Sequence, residues 1–334
     1  MQVEPFEILG WARWLCLIAC FTGAAWLDHN YRRIPNSYWL AWAKPAIFLW
    51  ALELLVVEAD WTVWGTAAAA VALASTAVIG RPTIGDFRSG NPVDITVIIW
   101  YVFGAAGVIG GAMIHGSTNT PMDIILGTAD TMAILWWSSV SVLVQVWLFD
   151  VMWRLRLLHG GADAKALMLV AILIPTWATV APIIQGESWV QLGAHMPPAF
   201  ALLIWGSLAF LAIPFIFTIW NAVKGNITSV ADLRLVWHAT RMPLDRVAEA
   251  HVWLLDEVIE KADGSTGVHT RIRAPARTPS DDKLLAQIAA LKELGEEVGW
   301  VTFKWPLLMI LLPAILPFII WGDPFALLLA PLLV

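Results

Sequence analysis

The stretch His-Gly-Gly-Ala-Asp-Ala-Lys, residues 159–165, places an acid at the start of an apolar segment. An ionisable side chain at the edge of a bilayer is expensive to hold there, so Asp163 is a candidate functional group. Gly160 and Gly161 would let a substrate backbone approach this acid closely. Lys165 would be its nearest positive partner on the same helix. The structural alternatives are a helix cap for Asp163 and an interfacial anchor for Lys165.

A second acid, Asp28, follows the first apolar segment of the chain. Two carboxyl groups close together in a low-dielectric site cannot both ionise easily, so they share one proton. One can activate water as a general base while the other protonates or polarises a peptide carbonyl. Because such a pair titrates as a unit, neither acid takes a fixed role. No metal or cofactor is expected. The alternative for Asp28 is a solvated acid paired with Arg32 or Arg33.

The elements that must position these acids are membrane helices. The 334 residues are 59% hydrophobic and 14% charged, whereas a soluble protein has about a quarter charged residues. We therefore predict an all-α polytopic membrane protein with about eight transmembrane helices. The predicted spans are 8–27, 37–57, 61–79, 93–114, 132–153, 163–182, 199–220 and 305–322. Helices one to seven occupy 1–221, a small α+β cytoplasmic domain 222–304, and the last helix 305–334.

Charge predicts the orientation of this topology. With the N-terminus outside, every Lys and Arg except Arg13 falls on one side, counting Lys44 one or two turns into the second helix. The positive-inside rule places that side in the cytoplasm. Asp28 and Asp163 then lie at the same depth, on the cytoplasmic face of the cell membrane. The basic residues follow topology, so they do not indicate nucleic-acid binding.

Residues 222–304 are the largest polar stretch. A hairpin is predicted where 251–259 and 268–273 flank a Gly-rich turn. Ser280 then begins an amphipathic helix with Leu284, Leu285, Ile288, Leu291 and Leu294 on one face.

Gly104, Gly107, Gly110 and Gly111 of the fourth span form a small-residue face suited to close helix packing. The sequence contains no phosphate-binding glycine motif, zinc-protease motif or serine-hydrolase motif, and Cys16 and Cys20 are too few for a disulfide framework.

Four stretches resemble the archaeal preflagellin and prepilin peptidases, which are aspartyl proteases of the membrane. Residues 160–167 resemble the family's Gly-x-Gly-Asp motif with its following lysine, although Ala162 replaces the second glycine. Residues 28–36 are similar to its first motif, in which an acid precedes Arg, an aliphatic residue, Pro and Asn. Residues 214–221 and 299–306 resemble the end of its penultimate helix and the approach to its last helix. The four matches occur in the family's order.

The resemblance implies an aspartic endopeptidase that removes the short basic leader of prepilins and preflagellins at the cytoplasmic membrane face. Asp28 and Asp163 would be catalytic, and those precursors would be the protein partners. Family members usually have about six spans, so two helices look inserted between the acids. Asp86, in Asp-Phe-Arg-Ser, also resembles a first motif and is the alternative first acid. The paired cysteine motifs of bacterial relatives are absent, which implies peptidase activity without N-methyltransferase activity.

Other functions pair acids in membranes. A presenilin-like or signal-peptide-peptidase-like protease is one alternative, although the flanking motifs fit the prepilin type better. A proton-coupled transporter is another, but neither acid is at mid-membrane depth and no inverted repeat is evident. A structural scaffold would leave the Gly-Gly-Ala-Asp stretch as a helix cap only. The sequence does not define an oligomeric state.

Overall fold

The computed structural model describes residues 5–81, 83, 85, 88, 90–158, 160–184, 195–260, 264–275 and 279–333. The chain forms two compact units. The first contains Met1–Ser207 and Pro306–Val334, and the second contains Leu208–Trp305. About 67% of the structure is helical, which agrees with the predicted class.

The described residues form twelve α-helices. They are α1 (Pro5–Tyr31), α2 (Asn36–Val56), α3 (Trp61–Ile79), α4 (Pro92–Gly111, continued by a π-helical turn at Ala112–Gly116), α5 (Pro121–Ile125), α6 (Thr131–Arg154), α7 (Gly161–Leu173), α8 (Pro198–Val223), α9 (Leu244–Val247), α10 (Asp281–Glu293), α11 (Leu307–Trp321) and α12 (Pro324–Leu333). Within the described residues, six helices are long and apolar enough to cross a membrane: α1, α2, α3, α4 with its π-helical turn, α6 and α8. The protein has the architecture of a polytopic membrane protein.

The predicted number of eight full spans is too high. The helix expected over 163–182 is α7, which has only 13 residues. It ends because Ile174 precedes Pro175 and takes an extended conformation, φ −128° and ψ 77°. The helix expected over 305–322 is α11, which has 15 residues and stops at Gly322, where φ is +68°. Apolar composition continued across the break after α7, so hydropathy alone did not show it, whereas the predicted end of the last span at 322 agrees with the end of α11.

Helix α7 lies at the centre of the first unit. From Ala166 to Leu173 every side chain is buried, and the helix packs on α1, α2, α3 and α6. A helix that is apolar on all sides belongs in a protein core. The residues that follow it, up to Ile184, are not helical. Backbone N–H groups of Ile183 and Ile184 donate to the carbonyls of Ile319 and Ile320 at 3.1 and 2.8 Å, which satisfies two otherwise free carbonyls at the end of α11.

Helices α3 and α4 approach each other closely through small residues. A Cβ added to Gly65 would lie 2.7 Å from the Cα of Gly107, and one added to Gly104 would lie 2.5 Å from the Cβ of Ala69. Neither position has room for a side chain. The predicted close-packing role of the glycines in the fourth span is therefore confirmed for Gly104 and Gly107.

The second unit contains the strands β1 (Thr240–Pro243), β2 (Val252–Leu254), β3 (Asp256–Glu260), β4 (Thr266–Thr270) and β5 (Val298–Phe303). One antiparallel sheet has the order β1-β5-β2, and β3 pairs with β4. Asp256 lies opposite Thr270 in that hairpin, which confirms a hairpin at the predicted place. Its strands are shorter than the predicted 251–259 and 268–273, because Val252–Leu254 pairs with β5 instead. In α10, Ile288 and Leu291 are buried as expected, but Leu285 and Leu294 are 53% and 40% exposed.

Asn221 connects α8 to the rest of the second unit. It is fully buried, and its Nδ2 donates to the carbonyls of Val236 and Ala239 at 2.9 and 2.7 Å. Its Oδ1 accepts from the hydroxyl of Thr240 at 2.9 Å. These hydrogen bonds hold the segment between α8 and β1 in place.

Candidate active site

Asp28 lies in the last turn of α1, where the chain leaves the helix. The N–H of Arg32 donates to the Asp28 carbonyl at 3.1 Å, and Arg32 takes a left-handed conformation with φ +52°. That residue redirects the chain toward Pro35, which precedes α2. The Asp28 carboxyl group is half-buried. Within the described chain, no ion pair joins it to Arg32 or Arg33.

Asp163 lies in the first turn of α7. Gly160 is the residue that caps this helix, with φ −104° and ψ 127°, so Asp163 is not the cap itself. Its carboxyl group folds back and accepts a hydrogen bond from the Gly160 backbone. The free N–H groups and the dipole of a helix start both favour an acid here. Local helix chemistry therefore accounts for the orientation of the Asp163 side chain.

The two acids interact although they are far apart in the sequence. The charge of Asp28 acts on Asp163, so the end of α1 and the start of α7 lie within electrostatic range. Both side chains are half-buried and neither is sealed. The arrangement therefore combines partial removal from solvent with access for a water molecule, which general acid–base chemistry requires.

The two glycines have different structural roles. A Cβ on Gly160 would lie 2.5 Å from Oδ2 of Asp163, and one on Gly161 would lie 3.1 Å from the indole ring of Trp153. The open side of Gly160 is thus occupied by the acid's own carboxyl group. The open side of Gly161 faces a tryptophan of α6. These contacts explain why glycine occupies both positions, independently of the predicted approach of a substrate.

Lys165 connects the two predicted motifs. Its Nζ donates to Oδ1 of Asn36 at 2.8 Å and lies 5.8 Å from the centre of the Trp153 ring, within cation–π range. The Nδ2 of Asn36 donates to the carbonyl of Val78 at 2.8 Å. Asn36 therefore links the start of α2 to α7 and to the last turn of α3.

Asp86, the alternative first acid, lies outside the described residues, as does His159. The choice of Asp28 over Asp86 remains a prediction. Within the described chain, no group of three or more His, Cys, Asp or Glu side chains could hold a metal ion.

Sequence reasoning missed a buried ion pair deeper in the same unit. Arg13 is fully buried, and its NH2 nitrogen lies 2.6 Å from Oε2 of Glu53. Its other terminal nitrogen donates to the hydroxyl of Thr179. These contacts join α1, α2 and the segment after α7. A signal was present, because Arg13 was the single exception to the charge asymmetry.

No protein-family model matches the sequence, and no curated protein is significantly similar to it.

Proposed function

We propose that this protein is a membrane aspartyl endopeptidase of the prepilin-peptidase type. Its substrates are precursors in which a short basic leader precedes a long hydrophobic helix. Asp28 and Asp163 form the catalytic pair, and Lys165 with Asn36 positions the start of α7. The reaction is hydrolysis of one peptide bond at the predicted cytoplasmic face.

The observation that carries the proposal is the electrostatic interaction between Asp28 and Asp163. Each acid belongs to a separate stretch with its own residue pattern. The charge of Arg32 acts on Asp28 and offsets part of its charge. A scaffold still has no need to bring two half-buried acids within electrostatic range, because like charges destabilise a fold. The hydrogen bond from Lys165 to Asn36 adds support, since it joins other residues of the same two stretches.

The chemistry follows from one proton shared by two carboxyl groups. The ionised acid takes a proton from a water molecule, whose oxygen attacks the peptide carbonyl. The protonated acid donates its proton to the carbonyl oxygen, which gives a neutral tetrahedral diol. The diol then collapses and the C–N bond breaks, while the proton held by the first acid passes to the leaving amine. One diol hydroxyl returns its proton to the second acid as the new carboxyl group forms, so the pair ends with one proton, as it began.

The position of the acids suits a bond next to a hydrophobic helix. Asp28 is near the last residue of a membrane helix, and Asp163 is near the first residue of α7. A precursor helix inserted beside them would present its N-terminal end, and the leader before it, at the same depth. An extended peptide there exposes its carbonyl, whereas a peptide inside a helix does not.

The test is cleavage of a purified prepilin-like precursor in proteoliposomes. Wild-type protein is compared with Asp28→Asn, Asp163→Asn and Asp86→Asn, with Asp94→Asn as a control acid bonded only locally to Asn91. We expect Asp28→Asn and Asp163→Asn to lower the cleavage rate at least about a hundredfold. Asp86→Asn and Asp94→Asn should keep the wild-type rate.

The outcomes separate the residue assignment from the enzyme class. Loss of cleavage in Asp86→Asn with activity retained in Asp28→Asn would assign Asp86 as the first catalytic acid. The protein would still be an aspartyl peptidase. Full activity of a correctly folded Asp163→Asn protein, or no cleavage by the wild type, would overturn the proposed function.

A further inference from the structure

Helices α2 and α3 are consecutive but pack little on each other. The main neighbours of α3 are α4 and α6, whereas α2 packs chiefly on α7 and α1. Two cavities of about 240 Å³ each lie in the crevice that results. Both are lined by Ile47, Val71 and Trp100. They therefore form one continuous depression, which we call the α2–α3 groove.

The groove has the dimensions of a helix-binding surface. On α2 it extends from Trp39 to Leu54, which is about 22 Å at the helical rise of about 1.5 Å per residue. Its lining is almost entirely aliphatic and aromatic. A hydrocarbon core is about 30 Å thick, so an apolar helix lying in the groove would be covered over most of its membrane-embedded length.

One end of the groove reaches the candidate active site. Lys165 and Met168 of α7 line it, and Lys165 is two residues after Asp163 in the first two turns of that helix. A helix lying in the groove would therefore have one end beside the acid pair.

The groove contains a second lysine with no acidic partner. Lys44 lines it, and no ion pair or hydrogen bond of Lys44 is found in the part of the chain that the structure describes. Lys44 is eight residues after Asn36, about 12 Å along α2. Lys44 is exposed, so its ammonium group can reach an occupant of the groove, and a carboxylate on that occupant at this depth would neutralise its charge in the membrane.

We infer that the α2–α3 groove binds the hydrophobic helix of the precursor, with an acidic residue in its first turns paired with Lys44. This inference rests on the proposed function. It assigns Lys44 as a specificity-determining residue and defines the substrate class further: an apolar helix with a carboxylate about two to three turns beyond the end that lies beside the acids.

The first test is photo-crosslinking in proteoliposomes with the Asp163→Asn protein, which should hold precursor without cutting it. A photoreactive amino acid replaces Leu40 in the groove, or Phe48 on another face of α2. Phe48 is 60% exposed and does not line the groove. We expect a precursor adduct from position 40 and only background from position 48. Adducts to lipid alone at position 40, unchanged by added precursor, would overturn the inference.

The second test exchanges charges in otherwise wild-type protein. Lys44→Glu should raise KM at least about tenfold for a precursor with an acid at the matching position, with little change in kcat, because a contact distant from the cut contributes to binding. A precursor with lysine at that position should recover cleavage by Lys44→Glu. Equal KM values for all four combinations would exclude the assigned pairing.

The two proposals fail in different ways. Cleavage by the wild type without groove adducts would refute the groove and leave the peptidase function intact. Groove adducts without wild-type cleavage would refute the peptidase and leave a binding site for an apolar helix. Neither adducts nor cleavage would refute both.

Discussion

The ammonium group of Lys165 donates a 2.8 Å hydrogen bond to the side-chain oxygen of Asn36. This contact joins the first turn of α2 to the first two turns of α7. Asn36 also donates to the last turn of α3 at Val78, so three helix ends meet at one amide side chain. Such a junction fixes where Asp163 lies relative to the loop that follows Asp28.

The effects of Lys165 and Asn36 on precursor cleavage should be coupled. Lys165→Met and Asn36→Ala should each lower kcat/KM for precursor cleavage about tenfold, since a hydrogen bond to a charged group is worth roughly 1.5–3 kcal/mol. The double variant should have a kcat/KM no lower than that of the less active single variant, because either single change already breaks the hydrogen bond. A double-mutant cycle in proteoliposomes measures this coupling.

Asn30→Ala is the matched control for that cycle, because among the described residues the side chain of Asn30 bonds only to the Trp26 carbonyl in its own helix. Strictly additive effects of Lys165→Met and Asn36→Ala would contradict the positioning role.

Gly160→Ala should abolish the proposed precursor cleavage while leaving the fold intact. The new methyl group would lie 2.5 Å from Oδ2 of Asp163, so the carboxyl group must leave its present position. We expect at least about a hundredfold loss of kcat, the size of effect that general acid–base catalysis supplies. Cleavage assays measure this. Gly116→Ala is the control, since its added atom would meet Trp136 at an ordinary 3.4 Å; equal activity of both variants would refute the prediction.

The Arg13–Glu53 pair predicts strong destabilisation by either single change. Arg13→Met leaves a buried carboxylate without its partner, and Glu53→Met leaves a buried guanidinium. Each should lower the free energy of unfolding by about 3–5 kcal/mol. The double variant should be more stable than either single variant, because no uncompensated charge remains. Thermal unfolding in detergent provides the comparison, with exposed Arg33→Met as the reference change. A double variant less stable than both singles would count against this account.

Asp256 should make its own contribution to the pH dependence of the second unit. Burial raises the pKa of this acid above its ordinary value, outweighing the hydrogen bond from Thr270 and the 2.6 Å bond from the Trp300 backbone, which favour the ionised form. Above an ordinary Asp pKa of about 4, this side chain therefore holds its proton more often in the folded unit than in the unfolded chain. The contribution of Asp256 to stability should fall as the pH rises from that value through the higher folded pKa.

Hydrogen exchange of β5, corrected for intrinsic rates, follows this stability in the full-length protein. Asp256→Asn retains a hydrogen-bond acceptor but cannot ionise, so its stability relative to the wild type should rise with pH over that range. The same slope in wild type and Asp256→Asn would exclude Asp256 as the titrating group.

The sequence defined most helices because their ends carry local chemical signals. Asp60 accepts hydrogen bonds from the N–H groups of Thr62 and Val63 at the start of α3, and Pro35 precedes α2. Hydropathy over about 20 residues supplied the spans between those ends. Averaging hydropathy over that length also hid the end of α7 at Ile174, which only the backbone conformation shows.

The interaction between Asp28 and Asp163 could be predicted because the asymmetry of Lys and Arg along the chain placed both helix ends on the same predicted membrane face. The partners of Arg13 could not be inferred in this way, since Glu53 and Thr179 are 40 and 166 residues away from it. Only the packing of α1, α2 and the segment after α7 selects them. The same holds for the α2–α3 groove, which exists because two consecutive helices fail to pack.

The short helix α11 has a consequence for the lipid around the protein. At about 1.5 Å per residue it extends only about 22 Å, less than the roughly 30 Å of a hydrocarbon core. Its Leu316 side chain is 65% exposed, so lipid can meet this helix and answers such hydrophobic mismatch by local thinning. Because α11 packs on α1, we expect a thinner bilayer beside the helix that carries Asp28. Such thinning shortens the route that water takes from the aqueous phase to that acid.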